Sequence, residues 1–470
     1  MLKGRGKKSG AIAAAAGFAA ALFATSLVPA NAGPFSWLTG KNQQQQQLQQ
    51  DQQLQPSQPP QQQGGRPGLF PFFGGGRNQQ WQGNGPDPVT APHASELPRD
   101  DPEAMLITNP PLGSPTLAAR NVEATKAAIE QYKVIVAQGG WQSVPAKAMR
   151  PGQRGQEIAL LQRRLEISGD LVGQSVQGEY DAAVVAAVKK FQTRHGIGAT
   201  GVIDTKAVIQ ALNVPAYMRL AQLQASLRRL QSLTPSAAGR YVVVNIPAAQ
   251  VETVAGGAVD LRQIAVVGKP ERPTPEISSK IQEINFNPYW YVPRTIIIKD
   301  LVPKGREFAR RGQSMLDAYH MEAFDAAGNP VTQIDWNNPE VYNYNFRQRP
   351  HGENSLGFVK INFPNKDSVY MHDTPLKGLF ANNERFQSSG CVRVYNVEQV
   401  VSWILRDTPG WSYDRIVSMK HTGEQMDVKL AKPVPVYLAY ISAWGTPDGL
   451  VNFRPDIYGL DGASTTASAY

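Results

Sequence analysis

The chain contains very little cysteine, with one residue, Cys391, in a length of 470. A single cysteine excludes an internal disulfide framework and any zinc or iron–sulfur site that needs several thiolates. Long apolar runs are also scarce, because after the first 32 residues no segment reaches the ~20 apolar residues of a transmembrane helix. Acidic residues are fewer than basic ones, 38 against 47, and the net charge of +9 permits an anionic partner without identifying one.

The first 32 residues have the pattern of a secretory signal peptide. Basic residues precede an alanine-rich apolar run from Ala11 to Val28, and Ala30-Asn31-Ala32 is a typical cleavage site. The alternative is an uncleaved anchor, because an apolar run of ~18 residues nearly spans a bilayer. In either case we expect the folded part of the chain to be exported, and contact with the membrane depends on an uncleaved signal.

Residues 33–105 have a composition that does not favour folding. Between Gln43 and Gln82, 17 of 40 residues are glutamine, with proline and glycine interspersed. Such a segment buries too little apolar surface to offset its conformational entropy. We therefore expect residues 33–105 to form a disordered tether.

Two helical segments are expected to bracket a smaller module. Apolar residues recur at helical spacing in 116–138 and in 215–231. The simplest interpretation is that the two apolar faces pack on each other. This pattern predicts a helical scaffold in two parts, 106–148 and 213–237, with a module of residues 149–212 inserted between them.

The inserted module, 149–212, predicts three short helices separated by glycine-containing turns. Asp181 is expected to cap the second helix and Asp204 the third. The sequence around Leu161-Gln162 and Phe191-Gln192 resembles the type 1 peptidoglycan-binding domain, a three-helix module. The resemblance implies that the module binds peptidoglycan, and a structural spacer of the same fold is the alternative.

From residue 240 onward the apolar pattern changes to the alternation of β-strands. Strands are predicted at 241–246, 251–254, 261–267, 357–363, 368–371 and 434–444. These strands indicate a mostly-β domain over residues 238–447, followed by a C-terminal segment, 448–470. The expected fold class is therefore multidomain α+β.

Helix signals are fewer in this domain. One helix is predicted at 374–381 and another at Asn396–Arg406. The second helix opens with Asn396 and Gln399 at the spacing of a capping box, and it ends before a Pro-Gly pair.

The single cysteine lies in a setting that favours a reactive thiol. Cys391 occurs in the sequence Ser-Ser-Gly-Cys-Val-Arg-Val. Gly390 lets the backbone approach closely, so that amide N–H groups of the turn can stabilise negative charge. Arg393 adds positive charge two residues away. Both features favour the thiolate, which is the nucleophilic form of cysteine.

A nucleophilic cysteine also needs a base, and histidine suits that role near neutral pH. Of the six histidines, His372 is the one that ends a predicted strand, 19 residues before Cys391. The residues alone leave two interpretations open. Cys391 is either a nucleophile paired with His372 or a buried small apolar side chain.

A family resemblance bears on this choice. The segment from Tyr370 to Val394, with Tyr-Met-His-Asp-Thr-Pro and Ser-Ser-Gly-Cys-Val-Arg-Val, resembles the signature of the L,D-transpeptidases, whose catalytic domain is also called YkuD. Further matching segments are Val244–Pro247, Asn287–Pro293, Asn354–Gly357 and Asn362–Asn365. Together with the inserted module, the chain resembles the large YcbB-like periplasmic subgroup, which implies a periplasmic location.

The resemblance implies a role for each motif residue. Cys391 corresponds to the nucleophile, and His372 to the base that later protonates the departing amine. Arg393 would organise the site or meet a substrate carboxylate, a role that suits its fixed donor fork. The backbone amides of Gly390 and Cys391 are candidates for an oxyanion hole.

Four more residues are candidates for substrate binding. Tyr370 and Trp290 are pocket candidates, with core packing as an equal alternative. Ser389 stands where many members carry a second histidine, so His372 is the only motif histidine. Asp373 follows His372, and whether its side chain orients the imidazole is left open.

The implied reaction is acyl transfer in two steps. The thiol would attack the carbonyl before the terminal D-alanine of a peptidoglycan stem tetrapeptide, and the thioester would pass to a side-chain amine of a second stem. Stem peptides are then the partners, and other cell-wall synthesis proteins are further candidates. No metal or organic cofactor is implied, nucleic acid is not expected as a partner, and acylation of the thiol by carbapenems is a family expectation.

Alternative functions remain open at this point. Water could accept the acyl group, which would make the protein an L,D-carboxypeptidase or another hydrolase, and a non-enzymatic peptidoglycan-binding protein is a third class. In the resembled subgroup the region 301–345 caps the active site, which suggests a substrate-gating lid.

Overall fold

The computed structural model describes residues 112–233 and 239–462, which all lie within one structural unit. The predicted signal peptide, and the predicted tether, lie outside the described residues. Across residues 112–233 and 239–462, every helix is too short or too polar to span a bilayer. The α-helices of at least four residues in these ranges are α1 Ala119–Ala137, α2 Gln156–Ile167, α3 Ala182–Arg194, α4 Lys206–Asn213, α5 Ala216–Leu233, α6 Val302–Arg310, α7 Met315–Ala318, α8 Val397–Leu405 and α9 Tyr413–Thr422.

The strands are numbered along the chain. They are β1 Arg240–Asn245, β2 Gln250–Ala255, β3 Ala258–Gly268, β4 Ile277–Phe286, β5 Trp290–Tyr291, β6 Met321–Phe324, β7 Pro330–Val331, β8 Asn345–Gln348, β9 Val359–Asn362, β10 Met371–His372, β11 Phe386–Ser388, β12 Val392–Val394, β13 Met426–Ala439, β14 Ala443–Gly445 and β15 Val451–Phe453. The described part of the chain thus holds both helices and strands, as the α+β prediction requires.

The helices α1 and α5 form the predicted scaffold. Their apolar faces share one core, to which Ile129 and Tyr132 contribute from α1 and Leu223 from α5. Thr125, the polar residue in the apolar face of α1, is fully buried and accepts a hydrogen bond from Gly445 N–H at 3.0 Å. This hydrogen bond from Gly445 to Thr125 therefore anchors α1 to β14.

The inserted module has three helices, α2 to α4, around its own apolar core. The Asp181 side chain accepts a hydrogen bond from Val184 N–H at 2.9 Å, which confirms the predicted cap of α3. The predicted cap at Asp204 is wrong, because α4 begins one residue later and the Thr205 hydroxyl accepts from Val208 N–H. Asp and Thr both cap helices well, so the sequence does not indicate which of two adjacent residues forms the cap.

Nine strands form the main sheet, in the order β11-β3-β12-β10-β9-β4-β13-β1-β2. Because β2 also pairs with β3, eight of these strands form a continuous ring of pairings. Alternate side chains fill an interior core, whereas those of the outer face meet the scaffold helices near β1 and β13. This ring holds β10 and β12 between fixed neighbours.

Helices α8 and α9 complete the core of the sheet, with Val401, Trp403 and Met419 buried. The predicted capping box at the start of α8 is wrong. Asn396 has a left-handed backbone (φ 45°) and makes no side-chain cap, while the Gln399 side chain accepts from Gln263 at 2.7 Å. Tertiary contact has replaced the local cap, and α9 was missed by the sequence reasoning.

A small subdomain covers one end of the sheet. Its strands pair in the order β5-β8-β6-β7, and its core runs from Trp290 to Leu356, which is wider than the expected insertion 301–345. Gly305 of α6 packs directly under the ring of Trp336, where a Cβ atom would lie 2.1 Å from the ring. We call residues 290–356 the cap.

Three predicted elements differ in extent. Residues 368–371 form a strand only at β10, because Asn365 side-chain bonds hold Val369 in a turn. The helix predicted at 374–381 is a 3₁₀ helix at Lys377–Ala381. The strand predicted at 434–444 is divided, since β13 ends at Ala439 and β14 begins at Ala443.

Candidate active site

Two neighbouring strands bring the predicted catalytic residues together. β10 and β12 pair in parallel, with Met371 opposite Val392 and His372 opposite Arg393. Met371 and Val392 point into the core, so the alternation of side chains places His372 and Arg393 on the other face. Cys391 lies directly before the first residue of β12, the strand that carries Arg393.

Cys391 is partly exposed as a residue, while its thiol group is enclosed among polar groups. Tyr370 bonds to it through its backbone N–H and its hydroxyl, while Lys360 and Arg393 add positive charge. Burial raises the pKa of the Cys391 thiol, and these polar groups oppose that rise. The neutral thiol is therefore the resting form near neutral pH, and a base would be needed to convert it to the nucleophilic thiolate.

His372 is buried, and its ring is held in one tautomer. Nδ1 lies 2.5 Å from the backbone oxygen of Asp373, and because a carbonyl oxygen only accepts, Nδ1 carries the hydrogen. Nε2 then has the lone pair that a base requires. Burial, together with the charge of Arg393, lowers the pKa of His372 to about 3, so the imidazole is neutral at physiological pH.

Lys360 is a member of the site that the sequence reasoning missed. It lies on β9 opposite His372, and its Nζ is 4.5 Å from the ring centre of Tyr370. Burial lowers the pKa of Lys360, and the charges of Cys391 and Glu283 act in the opposite direction. The alternation in Phe-Val-Lys-Ile-Asn-Phe could have placed Lys360 outside the core, but its neighbours depend on cross-strand register.

Tyr370 connects the thiol to the cap. Its side chain bonds to Trp290 as well as to Cys391, and it packs against the cap core. Burial raises the pKa of Tyr370 well above its ordinary value, so the hydroxyl stays protonated. Of the two pocket candidates, Tyr370 thus contacts the thiol directly, whereas Trp290 is 4% exposed and acts through Tyr370.

The turn that carries Cys391 is fixed by its own hydrogen bonds. The Ser388 hydroxyl donates to the backbone oxygen of Cys391 at 2.6 Å and accepts from Gly390 N–H at 3.1 Å. Thr274 holds the Gly390 oxygen from the other side at 2.8 Å. Gly390 has a φ of 113°, which favours glycine.

These bonds distinguish the two candidate oxyanion donors. The Gly390 amide is already bonded to Ser388. The Cys391 amide has no hydrogen bond to any residue in the described ranges, 112–233 and 239–462. Of the two, the Cys391 amide is the one available to a developing oxyanion.

Ser389 and Asp373 lie at the edges of the site. The Asp373 carboxylate accepts from Phe358 N–H at 3.2 Å and pairs with Lys377. Its side chain is therefore directed away from the imidazole, which it contacts through its backbone oxygen. Ser389 accepts a hydrogen bond from Arg272 Nη1 at 2.9 Å.

Arg272 links the cysteine turn to the cap, and sequence reasoning gave no signal for it. Its guanidinium group also forms an ion pair with Asp300, with Nη2 2.9 Å from Oδ1. Asp300 precedes α6, and Ser389 lies two residues before Cys391. A single side chain thus holds the start of the cap beside the turn that carries the thiol.

This arrangement suits nucleophilic acyl transfer. A thiol and a neutral imidazole lie on the same side of two paired strands, with positive charge from Arg393 and Lys360 beside them. Within residues 112–233 and 239–462, no group of three or more His, Cys, Asp or Glu side chains is arranged to hold a metal ion.

Comparison with known families assigns two parts of the chain. Residues 239–417 match the L,D-transpeptidase catalytic domain, YkuD. Residues 154–210 match a peptidoglycan binding domain of type 1. The first range contains the cysteine turn and β10, and the second contains α2, α3 and most of α4.

A curated relative agrees with this assignment. The chain is 34% identical over 223 residues to a protein of Haemophilus influenzae whose name places it among the L,D-transpeptidases. The alignment covers 47% of this chain and 44% of the relative, so the chain matches less than half the length of that protein.

Solved structures include similar chains. An L,D-transpeptidase from Stackebrandtia nassauensis is 14% identical with a TM-score of 0.25, over 63% of this chain and 95% of that chain. An L,D-transpeptidase from Mycobacterium smegmatis is 16% identical with a TM-score of 0.20, over 42% of this chain and 58% of that chain. At scores this low the assignment rests on the sequence matches.

Proposed function

We propose that this chain, which carries an L,D-transpeptidase catalytic domain at 239–417 and a peptidoglycan-binding domain at 154–210, cross-links peptidoglycan stem peptides by cysteine acyl transfer. The observation that carries the proposal is the parallel pairing of β12, which starts directly after Cys391, with β10, which ends at a neutral His372 whose Nε2 carries no proton. A thiol and a base on adjacent strands are the parts that this chemistry needs.

The first step forms a thioester and releases D-alanine. As His372 Nε2 takes the thiol proton, the sulfur of Cys391 attacks the carbonyl carbon between the third residue of a stem tetrapeptide and its terminal D-alanine. The tetrahedral oxyanion is bonded by the Cys391 amide and stabilised by the charges of Arg393 and Lys360. When the C–N bond breaks, His372 returns the proton to the departing amine.

The second step passes the acyl group to an amine. A neutral amine of a second stem attacks the thioester, His372 removes its proton, and the C–S bond breaks. The proton then returns to the sulfur, so that thiol and imidazole are regenerated. The product is a peptide bond between two stems.

An amine acceptor is supported by the charges beyond Lys360. Asn285 lies opposite Lys360, and Asp427 lies opposite Asn285, so the same face of the sheet continues to an exposed carboxylate. Glu283 adds a second carboxylate near Lys360. These acids would attract a cationic amine toward the site, an advantage that water does not have.

Hydrolysis of the same thioester is the second candidate function. It is favoured by the partial exposure of Cys391, which admits water to the thioester. We further propose export to the periplasm through the N-terminal signal and binding of the wall by residues 154–210, as the sequence pattern and the second domain suggest. Acylation of Cys391 by carbapenems is part of the same proposal.

The decisive experiment uses the chain without residues 1–32 and purified disaccharide-tetrapeptide. Mass spectrometry should detect dimers that have lost one D-alanine, whereas tripeptide monomers alone would assign the protein to the hydrolases. The Cys391→Ser variant should form neither product. Turnover by that variant would overturn the mechanism.

The Asp427→Asn variant tests the acceptor side. It should lower the ratio of dimer to tripeptide several-fold and leave the rate of D-alanine release nearly unchanged. Glu130→Gln, at an exposed position of α1, is the control for loss of one surface carboxylate. An unchanged product ratio in Asp427→Asn would remove the role proposed for this carboxylate.

A further inference from the structure

A cavity lies on the molecule away from Cys391, which is not among its lining residues. Its volume is about 320 Å³, and its wall is formed by the inserted module, the scaffold, the sheet and the segment after β15. Three arginines contribute to this wall, Arg219 from α5, Arg385 just before β11 and Arg454 just after β15. We call this space the arginine cavity.

The three arginines are buried without a counter-ion. Their side chains form no ion pair with any residue in the described ranges, and their exposures are 3%, 4% and 8%. Among other buried arginines, Arg194 pairs with Asp170 at 2.5 Å, whereas Arg164 has no ion pair in the described ranges and lies over the ring of Trp141. Burying a charge is costly unless an opposite charge accompanies it.

Neutral groups satisfy only part of each guanidinium. Arg219 donates to Gln222 and Ala211, Arg385 to two backbone oxygens, and Arg454 to the backbone oxygens of Arg194 and Phe453. The Nε–H of all three has no partner within residues 112–233 and 239–462. Each of the three guanidinium groups that line the cavity thus has one buried N–H donor without a partner in that part of the chain.

Other titratable groups on the wall do not neutralise this charge. His195 lines the cavity, and its Nε2 also has no partner among the described residues. Glu384 is the one carboxylate on the wall, and it is exposed to solvent. Burial lowers the pKa of Arg219 and of Arg454 to about 9, and that of Arg385 to about 10. For Arg454 the charges of Arg262 and Arg385 act in the same direction, and the charge of Glu252 opposes them.

The rest of the wall defines the kind of anion. It is mostly apolar, with Ile197, Ala207, Val214, Pro247, Phe386 and Phe453 among its residues. A guanidinium group binds a carboxylate through two parallel hydrogen bonds. The volume lies at the lower end of the range for small-molecule sites, so the space suits a short ligand with one charged end and an aliphatic body.

We propose that the arginine cavity is a second binding site, separate from Cys391, for a ligand that carries a carboxylate on a small apolar body. The end of a peptide and a free short-chain carboxylic acid share this chemistry. We choose a probe that resembles the end of a peptide because of the proposed function. Binding in the cavity itself does not require the Cys391 thiol.

The test measures binding without turnover. Isothermal titration calorimetry on the full chain with Cys391→Ala would compare N-acetyl-D-alanine, its neutral amide, acetate and inorganic phosphate. N-acetyl-D-alanine should bind, acetate should bind about tenfold more weakly if a peptide end is the source, and the amide should not bind measurably. Acetate that binds as tightly as N-acetyl-D-alanine would support the proposal with a free short acid as the source.

Two variants locate the site. Arg385→Met removes one cation, and Ala207→Leu fills the cavity while keeping every charge; each should weaken binding of N-acetyl-D-alanine by about tenfold or more. Arg163→Met, on the exposed face of α2, is the control and should bind like the parent. Circular dichroism checks that all variants fold. If Arg385→Met does not fold, Ala207→Leu still tests the proposal.

Two results would overturn the proposal. One is affinity for the amide or for phosphate equal to that for N-acetyl-D-alanine, which would exclude a carboxylate site. The other is unchanged affinity in a folded Ala207→Leu protein, which would place the binding elsewhere, for example beside Arg393. Because Cys391 is absent from the test protein, a failure of cross-linking activity does not affect either result.

Discussion

The ring of His372 donates its Nδ1 hydrogen to the backbone oxygen of Asp373, at 2.5 Å. The acceptor belongs to the next residue in the chain, so no distant side chain is needed to orient the imidazole. The Asp373 carboxylate is free to bond Phe358 N–H instead. One residue thus fixes the tautomer through its backbone and the neighbouring loop through its side chain.

Replacement of His372 tests the role proposed for it as the base. His372→Asn retains a donor that can reach the Asp373 oxygen but has no basic nitrogen, so kcat/KM should fall about 10²–10⁴-fold while the melting temperature changes little. The rate of D-alanine release is the measurement. His421→Asn, at an exposed position of α9, serves as the control. A fall of less than tenfold would mean that another group removes the thiol proton.

The pH profile follows from the burial of the imidazole. Burial and Arg393 lower the pKa of His372 to about 3, so the neutral base persists as the pH falls below the ordinary histidine value. We expect kcat/KM to stay nearly constant from pH 7 down to about 5, because the acid limb lies near the pKa of the free enzyme. An acid limb centred near pH 6.5 would contradict the buried, neutral imidazole.

The Tyr370 hydroxyl should influence the reactivity of the thiol. It bonds to Cys391 and opposes the rise of the thiol pKa that burial causes. Tyr370→Phe keeps the ring beside Lys360 and the cap but should raise the pKa of Cys391 further and slow alkylation by iodoacetamide several-fold at pH 7. Tyr344→Phe, in the cap, is the matched control. Equal alkylation rates in Tyr370→Phe and the parent would remove the hydroxyl from this role.

Sequence reasoning found the site residues whose signal is local. His372 at a strand end and Cys391 in a glycine-containing turn are both visible in a single stretch of sequence. Lys360 and Arg272 were missed because their positions depend on which strands pair, in which register, and on which loops meet. The three arginines of the arginine cavity come from distant segments of the sequence, and only the folded chain brings them together.

The elements of the fold show the same difference between local signals, which the sequence reveals, and long-range contacts, which it does not. Helices α1 and α5 were predicted from apolar spacing, since a long segment with apolar residues three and four apart fits a helix and does not fit a strand. Helix caps were less predictable: Thr205 replaced Asp204, and Asn396 adopted a left-handed backbone. The cap extends beyond 301–345 because Trp290 and Leu356, on either side, complete its core.

The cap can be disturbed at a single glycine. A Cβ atom on Gly305 would lie 2.1 Å from the Trp336 ring, so Gly305→Ala must displace a buried aromatic side chain. We expect a loss of about 1–3 kcal/mol of unfolding free energy, together with a higher KM for tetrapeptide and an unchanged alkylation rate of Cys391. Gly352→Ala, which meets no atom within 4 Å, is the control. Parent-like stability and KM in Gly305→Ala would show that the cap adjusts without cost and does not select substrate.

The buried histidine of the inserted module should make the protein sensitive to acid. Burial, and then the charges of Arg194, Arg219 and Arg164, lower the pKa of His195 well below its ordinary value. Below pH 6.5 the unfolded chain therefore binds a proton that the folded chain does not, so stability falls as the pH falls.

For one such histidine the loss is about 1.4 kcal/mol per pH unit, until the folded pKa is reached. Urea unfolding at pH 6.5 and pH 5 should show a smaller loss in His195→Gln than in the parent, since glutamine takes up no proton. His351 and His372, whose pKa values are also lowered by burial, contribute equally to both proteins and cancel in the difference. His421→Gln should follow the parent, and parallel losses in the parent and His195→Gln would mean that His195 binds its proton in the folded state.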